Sequence, residues 1–326
     1  MMGIAILAVN QVLDSGFAIV LDVLHAANQL TRPTNRQRVS VISSRRGSVQ
    51  SARGIRIPVD HGLVAPFPSV VIVPGIDFIS DVDRCDSEQV ESLLKRADVR
   101  PVSAYLKKAH AVGTTIAAGC TATLLLAESG LLDGKEATTT WWLSSTFRER
   151  YPHVKLRDDL TLIRQGRLLC AGAAMAHINL ALAIVGKQFG PNMQDQVSRR
   201  LIINEAKRQS PFIDYSCVVN LPKPIRKADA WVRKHLPEPM TVEDVARAAA
   251  TSPRTLTRHF QQSIGRSPIQ FIQHLRVQEA IRLLRSTDES FESIAEKVGY
   301  KNTAGLRRII LRETGCLPSQ FRRTGE

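Results

Sequence analysis

Arg254, Thr257, Arg258 and Gln261 recur three and four residues apart within Pro253–Ser263, so a helix would set all four on one face. An arginine fork can pair with two acceptors on a guanine edge, and threonine and glutamine can bond bases or phosphates. The chemistry on offer is the reading of double-stranded DNA. Thr303, Arg307 and Arg308 form a second set of the same kind. A third set differs in nature. Cys120 stands in Ala118-Gly-Cys-Thr-Ala122, between the buried run Thr114–Ala118 and the helical stretch Thr121–Ser129. A thiol on a tight strand-to-helix turn has the form of a nucleophile elbow, where a helix N-terminus favours the thiolate.

The elements that must carry the first two sets repeat. Thr241–Pro268 and Ser290–Pro318 each read as a short helix, a tight turn, a second helix, then Gly and Pro. Val245-Ala246 matches Ile294-Ala295, and Ile264-Gly265-x-x-Pro268 matches Thr314-Gly315-x-x-Pro318. Leu256 and Phe260, four apart, must face a core, as must Leu306 and Ile310, which leaves the polar sets outside. This is the pattern of a helix-turn-helix, whose second helix enters a major groove. A helix over Pro268–Arg285 joins the copies, with Ile272, Leu275, Ala280, Leu283 and Leu284 inward. Base contact is expected of Arg254, Arg258 and Arg307, early in their helices. Ala304 and Gly305 have little to read bases with, so the second copy should lean more on phosphates.

The segment that must carry Cys120 alternates strand and helix signals. Expected strands are Gly3–Val9, Val39–Ser43, Val70–Val73, Thr114–Ala118 and Thr138–Trp142, with hairpins in Arg46–Pro58 and Leu160–Cys170. Expected helices are Ser15–Gln29, Glu88–Ala97 behind an Asp86-x-x-Gln89 start, Thr121–Ser129 and Ala173–Phe189. Buried strands alternating with helices imply an α/β, doubly wound, flavodoxin-like sheet, followed by an all-α double helix-turn-helix domain. Prolines 211, 222 and 224 mark a linker. The expected division is 1–212, a linker over 213–223, and 224–326.

Composition agrees with an anionic partner. The 326 residues carry a net charge of +14. Residues 221–326 hold 19 Lys and Arg against 11 Asp and Glu, so the excess is densest where the DNA motifs lie. Five scattered cysteines (Cys85, Cys120, Cys170, Cys217 and Cys316) have no zinc spacing and suggest free thiols in a reducing cytoplasm. No apolar run reaches 18 residues, and no secretory leader is apparent, so no membrane partner is expected.

Thr241–Arg322 resembles the AraC/XylS DNA-binding domain, most clearly in Ile294-Ala-x-x-Val-Gly-Tyr300 and Thr314-Gly-x-x-Pro-x-x-Phe-Arg322. The resemblance implies two helix-turn-helix units entering successive major grooves. That family usually has Phe where Leu306 and Ile310 stand. Ala117–Trp142 resembles the class I glutamine amidotransferase-like, PfpI-type domain, and the two together are similar to GlxA-type AraC regulators. Hydrolytic members of that superfamily carry a base beside the thiol. Here the next residue is Thr121, Thr140 stands where the regulators often have His, and no Glu lies near Ser15. His25 and His177 sit on apolar helices and read as packed side chains. A nucleophile without a base has no proton acceptor, so Cys120 is not expected to be catalytic.

The same turn suits a ligand, since crevices at strand C-termini are where doubly wound sheets bind small molecules. Asp14, Ser15, Gly75, Ile76, Cys120, Thr121 and Trp142 come from loops expected to converge there. The reading is a cytoplasmic, homodimeric transcriptional regulator, an activator on family grounds, that binds promoter DNA, answers a small nitrogenous effector and works with RNA polymerase. It needs no cofactor and no metal. The alternatives are a thiol amidase or glyoxalase-like enzyme using Cys120, or a Cys120 redox sensor.

Overall fold

The computed structural model describes residues 3–78, 87–204, 207–215 and 221–322, and divides the chain into two compact units, 1–207 and 208–326. Cys85, Asp86 and Cys217 lie outside the described residues, as does 216–220 of the expected linker. No described helix is long and apolar enough to cross a membrane.

In chain order the first unit runs β1 (Ile4–Leu7), α1 (Asp14–Leu30), β2 (Val39–Ile42), β3 (Ser48–Gln50), β4 (Arg56–Pro58) and β5 (Val70–Val73). It continues through α2 (Ser87–Lys95), α3 (Arg100–Ala111), β6 (Thr115–Gly119), α4 (Thr123–Glu128) and β7 (Glu136–Ala137). It ends with α5 (Ser144–Arg150), β8 (Lys155–Leu156), β9 (Leu162–Gln165), β10 (Leu168–Ala171), α6 (His177–Phe189) and α7 (Pro191–Arg200). The main sheet has six strands in the order β2-β1-β5-β6-β10-β9, parallel except for the β9–β10 hairpin. Its register sets Ile4 beside both Val39 and Val70.

Period-two alternation sorts its side chains into two cores. Ile4, Ile6, Val70, Ile72 and Ala117 pack under α1, α6 and α7. Ala5, Leu7, Val71, Val73, Ile116 and Ala118 pack under α2, α3 and α4. The strand order reverses between β1 and β5, so the loops after those strands and after β6 open at one crevice.

One expectation about elements needs correction. Thr138–Trp142 is not a strand: β7 stops at Ala137, and Trp141–Leu143 is a 3-10 turn. The β-branched threonines are buried, but their hydroxyls bond backbone carbonyls, Thr138 to Leu160 at 2.8 Å and Thr139 to Cys120 at 3.4 Å, instead of joining a ladder. The long apolar helix ends at Phe189, before Gly190-Pro191 as expected, and Pro191 then fits the first turn of a new helix, α7, where its missing N–H costs nothing. The sequence pattern also missed α3 altogether.

The second unit is helical: α8 (Lys223–Lys234), α9 (Val242–Ala248), α10 (Pro253–Ser263), α11 (Pro268–Ser286), α12 (Phe291–Lys297) and α13 (Thr303–Thr314). Each short helix and each second helix starts on a side-chain cap, from Thr241, Ser252, Ser290 and Asn302 in turn. Leu256, Phe260, Leu306 and Ile310 are all fully buried. Residues 208–215 belong to this unit: Ile213 and Tyr215 are buried, with Tyr215 against Phe271 and His274.

Candidate functional site

Cys120 sits where β6 turns into a 3-10 turn over Cys120–Ala122, with φ of +54°, a strained value for a residue with a side chain. The elbow geometry is therefore present, but its chemistry is muted. Burial pushes the thiol up to about 11, against smaller opposing effects of the Thr121 amide and the Thr140 hydroxyl. At neutral pH the group is a thiol rather than a nucleophilic thiolate.

His177 lies behind the turn, fully buried, in a cradle of three glycines. A Cβ on Gly16 would meet its Cε1 at 2.9 Å, one on Gly119 would meet its Cδ2 at 2.7 Å, and one on Gly75 would meet its Cε1 at 3.5 Å. Nδ1 donates to the Ala174 carbonyl at 2.6 Å, so Nε2 is the acceptor, and it takes the Gly75 amide at 3.0 Å. Burial holds the imidazole down to about 4, so it is neutral, with both nitrogens engaged. The adjacent Ile76 amide donates to Thr121 Oγ1 at 2.7 Å, and the same hydroxyl donates to the Ile76 carbonyl. The two amides beside the thiol that could stabilise an oxyanion thus already have side-chain acceptors.

Several expected ligand residues do gather around this turn. Gly75 and Cys120 are in near contact, a Cβ on Gly75 falling 3.1 Å from that of Cys120. Ile76 and Thr121 are joined as described. Asp14 and Ser15 open α1, both half-buried, but Asp14 faces away: its carboxylate accepts from the Ser51 hydroxyl and from the Arg53 amide at 3.1 Å. Trp142 is half-buried and packs against the core on the α2–α4 side. The cavity that opens nearby, about 460 Å³, is lined among the described residues by Gln11, Asp77, Phe78, Gln89, Ser92, Leu93 and Arg96. None of the seven expected residues lines it. Asp77 connects the two places, following Ile76 in the chain and lying close enough to Cys120 to raise its thiol slightly. Cys120 and Thr121 are buried in the turn, and loop residues one step outward line the opening. Among the described residues no cluster of three His, Cys, Asp or Glu side chains gathers.

The DNA-facing expectation fares differently. Arg254, Thr257, Arg258 and Gln261 are all exposed on α10, and Arg307 and Arg308 are exposed on α13, with Thr303 half-buried in its first turn. Arg254, Arg258 and Arg308 have no side-chain partner among the described residues. Thr257 bonds back to the Pro253 carbonyl at 2.8 Å. Arg307 lies over the Phe291 ring at 5.8 Å, which holds its guanidinium at the edge of the face.

Behind these faces is a support that sequence spacing could not reveal. Arg266, after α10, pairs with Glu313, in the last turn of α13, at 2.7 Å, with both side chains almost fully buried. Glu313 also meets His274 at 3.7 Å, and its carboxyl is held down to about 2 by His274 and Arg266, which together outweigh its burial. Arg276 of α11 donates to the carbonyls of Leu236 and Glu238, before α9, and of Gly299, in the second turn. The two helix-turn-helix copies are thus tied together by charged side chains as well as by the apolar face of α11.

Comparison with known proteins agrees with this division. Residues 2–187 match the DJ-1/PfpI family, and residues 245–324 match a helix-turn-helix domain. The chain is 25% identical to the HTH-type transcriptional regulator CdhR of Pseudomonas aeruginosa, over 94% of this chain and 87% of that protein. It is 26% identical to the HTH-type transcriptional regulator GbdR of the same species, over 95% and 80%. It is 23% identical to the HTH-type transcriptional regulator GlxA of Rhizobium meliloti, over 70% and 71%. A solved AraC family transcriptional regulator from Pseudomonas putida covers 62% of this chain and 100% of its own, with a TM-score of 0.51 at 15% identity, which supports the fold. The chain belongs to the DJ-1/PfpI family and carries a C-terminal helix-turn-helix domain.

Proposed function

We propose that this DJ-1/PfpI-family chain is a sequence-specific DNA-binding transcriptional regulator. The carrying observation is the pair of capped helices α10 and α13, each presenting exposed arginines with a buried apolar face behind them. Arg254 and Arg258 are the proposed base readers, with Thr257, Gln261, Thr303 and Arg308 completing the contact faces. Arg307, held against Phe291, suits a phosphate contact better than the base contact expected from its position in the helix. The full-length regulators that resemble the chain support the same reading.

The first unit is proposed as the sensor. A neutral thiol, a neutral buried histidine and two engaged amides argue against acyl transfer at Cys120, so the elbow is retained as structure. A small effector would enter at the cavity beside Asp77 and Arg96, and its preference for one arrangement of the protein would shift the regulator between states. Action as a homodimer, activation through RNA polymerase and a cytoplasmic location belong to this proposal by analogy with the family.

Selection of bound duplexes from a random pool, with the full chain, tests the reading. An enriched motif is expected. Arg258→Ala should bind it roughly 10- to 100-fold more weakly and accept other bases at one position. Cys120→Ala should bind it as the parent does. If no motif is enriched, the regulator assignment fails.

A further inference from the structure

The first unit carries a cationic surface that the DNA motifs do not account for. Between Asp22 and Asp60 the chain has seven arginines, no lysine and no acidic residue, so all 30 of its Asp and Glu side chains lie elsewhere. The structure sets this stretch along one edge of the first unit's sheet. Strand β2 is the edge of the main sheet, and the β3–β4 hairpin runs from its C-terminal end. Arg32, Arg36 and Arg38 lead into β2 at one end, and Arg45, Arg46, Arg53 and Arg56 stand at or on the hairpin at the other. All seven are exposed.

Two of the seven are engaged within the fold: Arg36 donates to the Asn28 carbonyl, and Arg53 pairs with Asp77. The guanidiniums of Arg32, Arg38, Arg45, Arg46 and Arg56 have no partner among the described residues. Three carboxylates reach this border: Asp77 pairs with Arg53, Asp14 accepts from the Ser51 hydroxyl and the Arg53 amide, and Asp60 accepts from the Val41 amide, so none of them bonds the other five guanidiniums. An exposed edge strand is often protected by lysines or prolines. Protection needs neither arginine forks alone nor the exclusion of every acid.

We infer that this border is a second DNA-binding surface, which grips the phosphate backbone flanking the site read by α10 and α13. Forked donors at spaced positions suit phosphates. Ile55 is the one strongly exposed large apolar side chain in the stretch, whereas a protein partner would need an apolar centre to bury. A chain already holding DNA through one unit presents it to the other at high local concentration. The inference rests on the regulator reading and extends it to sequence-independent affinity supplied by the first unit.

The test compares the full chain with its Arg45→Ala/Arg46→Ala/Arg56→Ala variant on two duplexes. One duplex covers only the selected motif, and the other extends it by about two helical turns on each side. Each lost phosphate contact should flatten the slope of log K against log salt by about 0.9, so up to ~3 for the variant on the long duplex. On the short duplex the two proteins should match, and their melting temperatures should agree, because the replaced side chains are solvent-exposed. A triple Arg→Lys variant should keep most of the slope. Equal slopes for parent and variant on the long duplex overturn the inference. So does a variant that loses only binding to anionic phospholipid vesicles, which would assign the surface to a membrane. Failure of the regulator reading looks different: the parent itself would show no motif preference on either duplex.

Discussion

Around Cys120 the polar groups face one another: the Gly75 amide meets His177, the Ile76 amide meets Thr121, and the hydroxyls of Thr123 and Thr139 crowd the Cys120 carbonyl. On α10 and α13 the arrangement is reversed. Their buried sides are mainly apolar, and Arg254, Arg258 and Arg308 are exposed and lack any partner among the described residues. Both regions look reactive in sequence. A polar group already engaged inside the fold must give up that partner before it can act, whereas an exposed arginine gives up only water. The difference supports the proposed reading, in which the recognition helices carry the DNA contacts and the elbow is structural.

The largest expected effect would break the closed half of this comparison. In Gly119→Ala the new methyl would press on an imidazole fixed by bonds at both nitrogens. The first unit should lose on the order of 3 kcal/mol, roughly 10 °C in its melting temperature. His177→Ala in the same chain should recover part of that loss in a double-mutant cycle. An unchanged melting temperature would mean that the cradle is loose and the elbow open.

Acidification should separate the two regions next. His177 is held at about 4 in the fold against an ordinary 6.5, so the unfolded chain takes the proton more readily. Its contribution to the first unit is complete above pH ~6.5 and is lost as pH falls toward 4, about 3 kcal/mol in all. Glu313 is held at about 2 against 4.5, so its similar contribution to the second unit persists until pH falls below ~4.5. Thermal unfolding followed at pH 7, 5 and 3 should show the first unit weakening before the second. Loss of both together near pH 4 would contradict the assignment of His177 as a neutral structural group.

The smallest effect sharpens the comparison within the open half. The turn before α10 puts Ala250 at φ +54°, and the matching turn before α13 puts Gly299 at φ +80°. Ala250→Gly should relieve left-handed strain against the added freedom of the unfolded chain, a net gain of at most ~1 kcal/mol. Gly299→Ala should cost more, because its Cβ would fall 2.8 Å from both Arg276 and the Leu236 carbonyl. Chemical denaturation of the two variants measures both. Equal responses would mean that the two turns are interchangeable.

Much of this was legible in order along the chain. The bounds of α10, the inward face of α11 and the outward arginines follow from helical spacing, and buried strands announced themselves as β-branched runs. Thr138–Trp142 misled because threonine favours strands and bonds carbonyls equally well, and the neighbours that chose between these were Leu160 and Cys120. The expected ligand set surrounds the Cys120 turn, whereas the nearby opening is lined from Asp77 outward, since Ile76 is buried and Asp77 is half-buried.

The sequence by itself determined the α/β and helical classes, the doubled DNA motif, the thiol on its turn and the helix face each arginine would occupy. These depend on patterns a few residues long, which local sterics and periodicity govern. Tertiary structure alone decided that His177 would take up the Gly75 amide, that Arg266 would meet Glu313, and that seven arginines would share one border of a sheet. Those outcomes depend on which distant segments the packed cores bring within a few ångströms, and no local spacing encodes that distance.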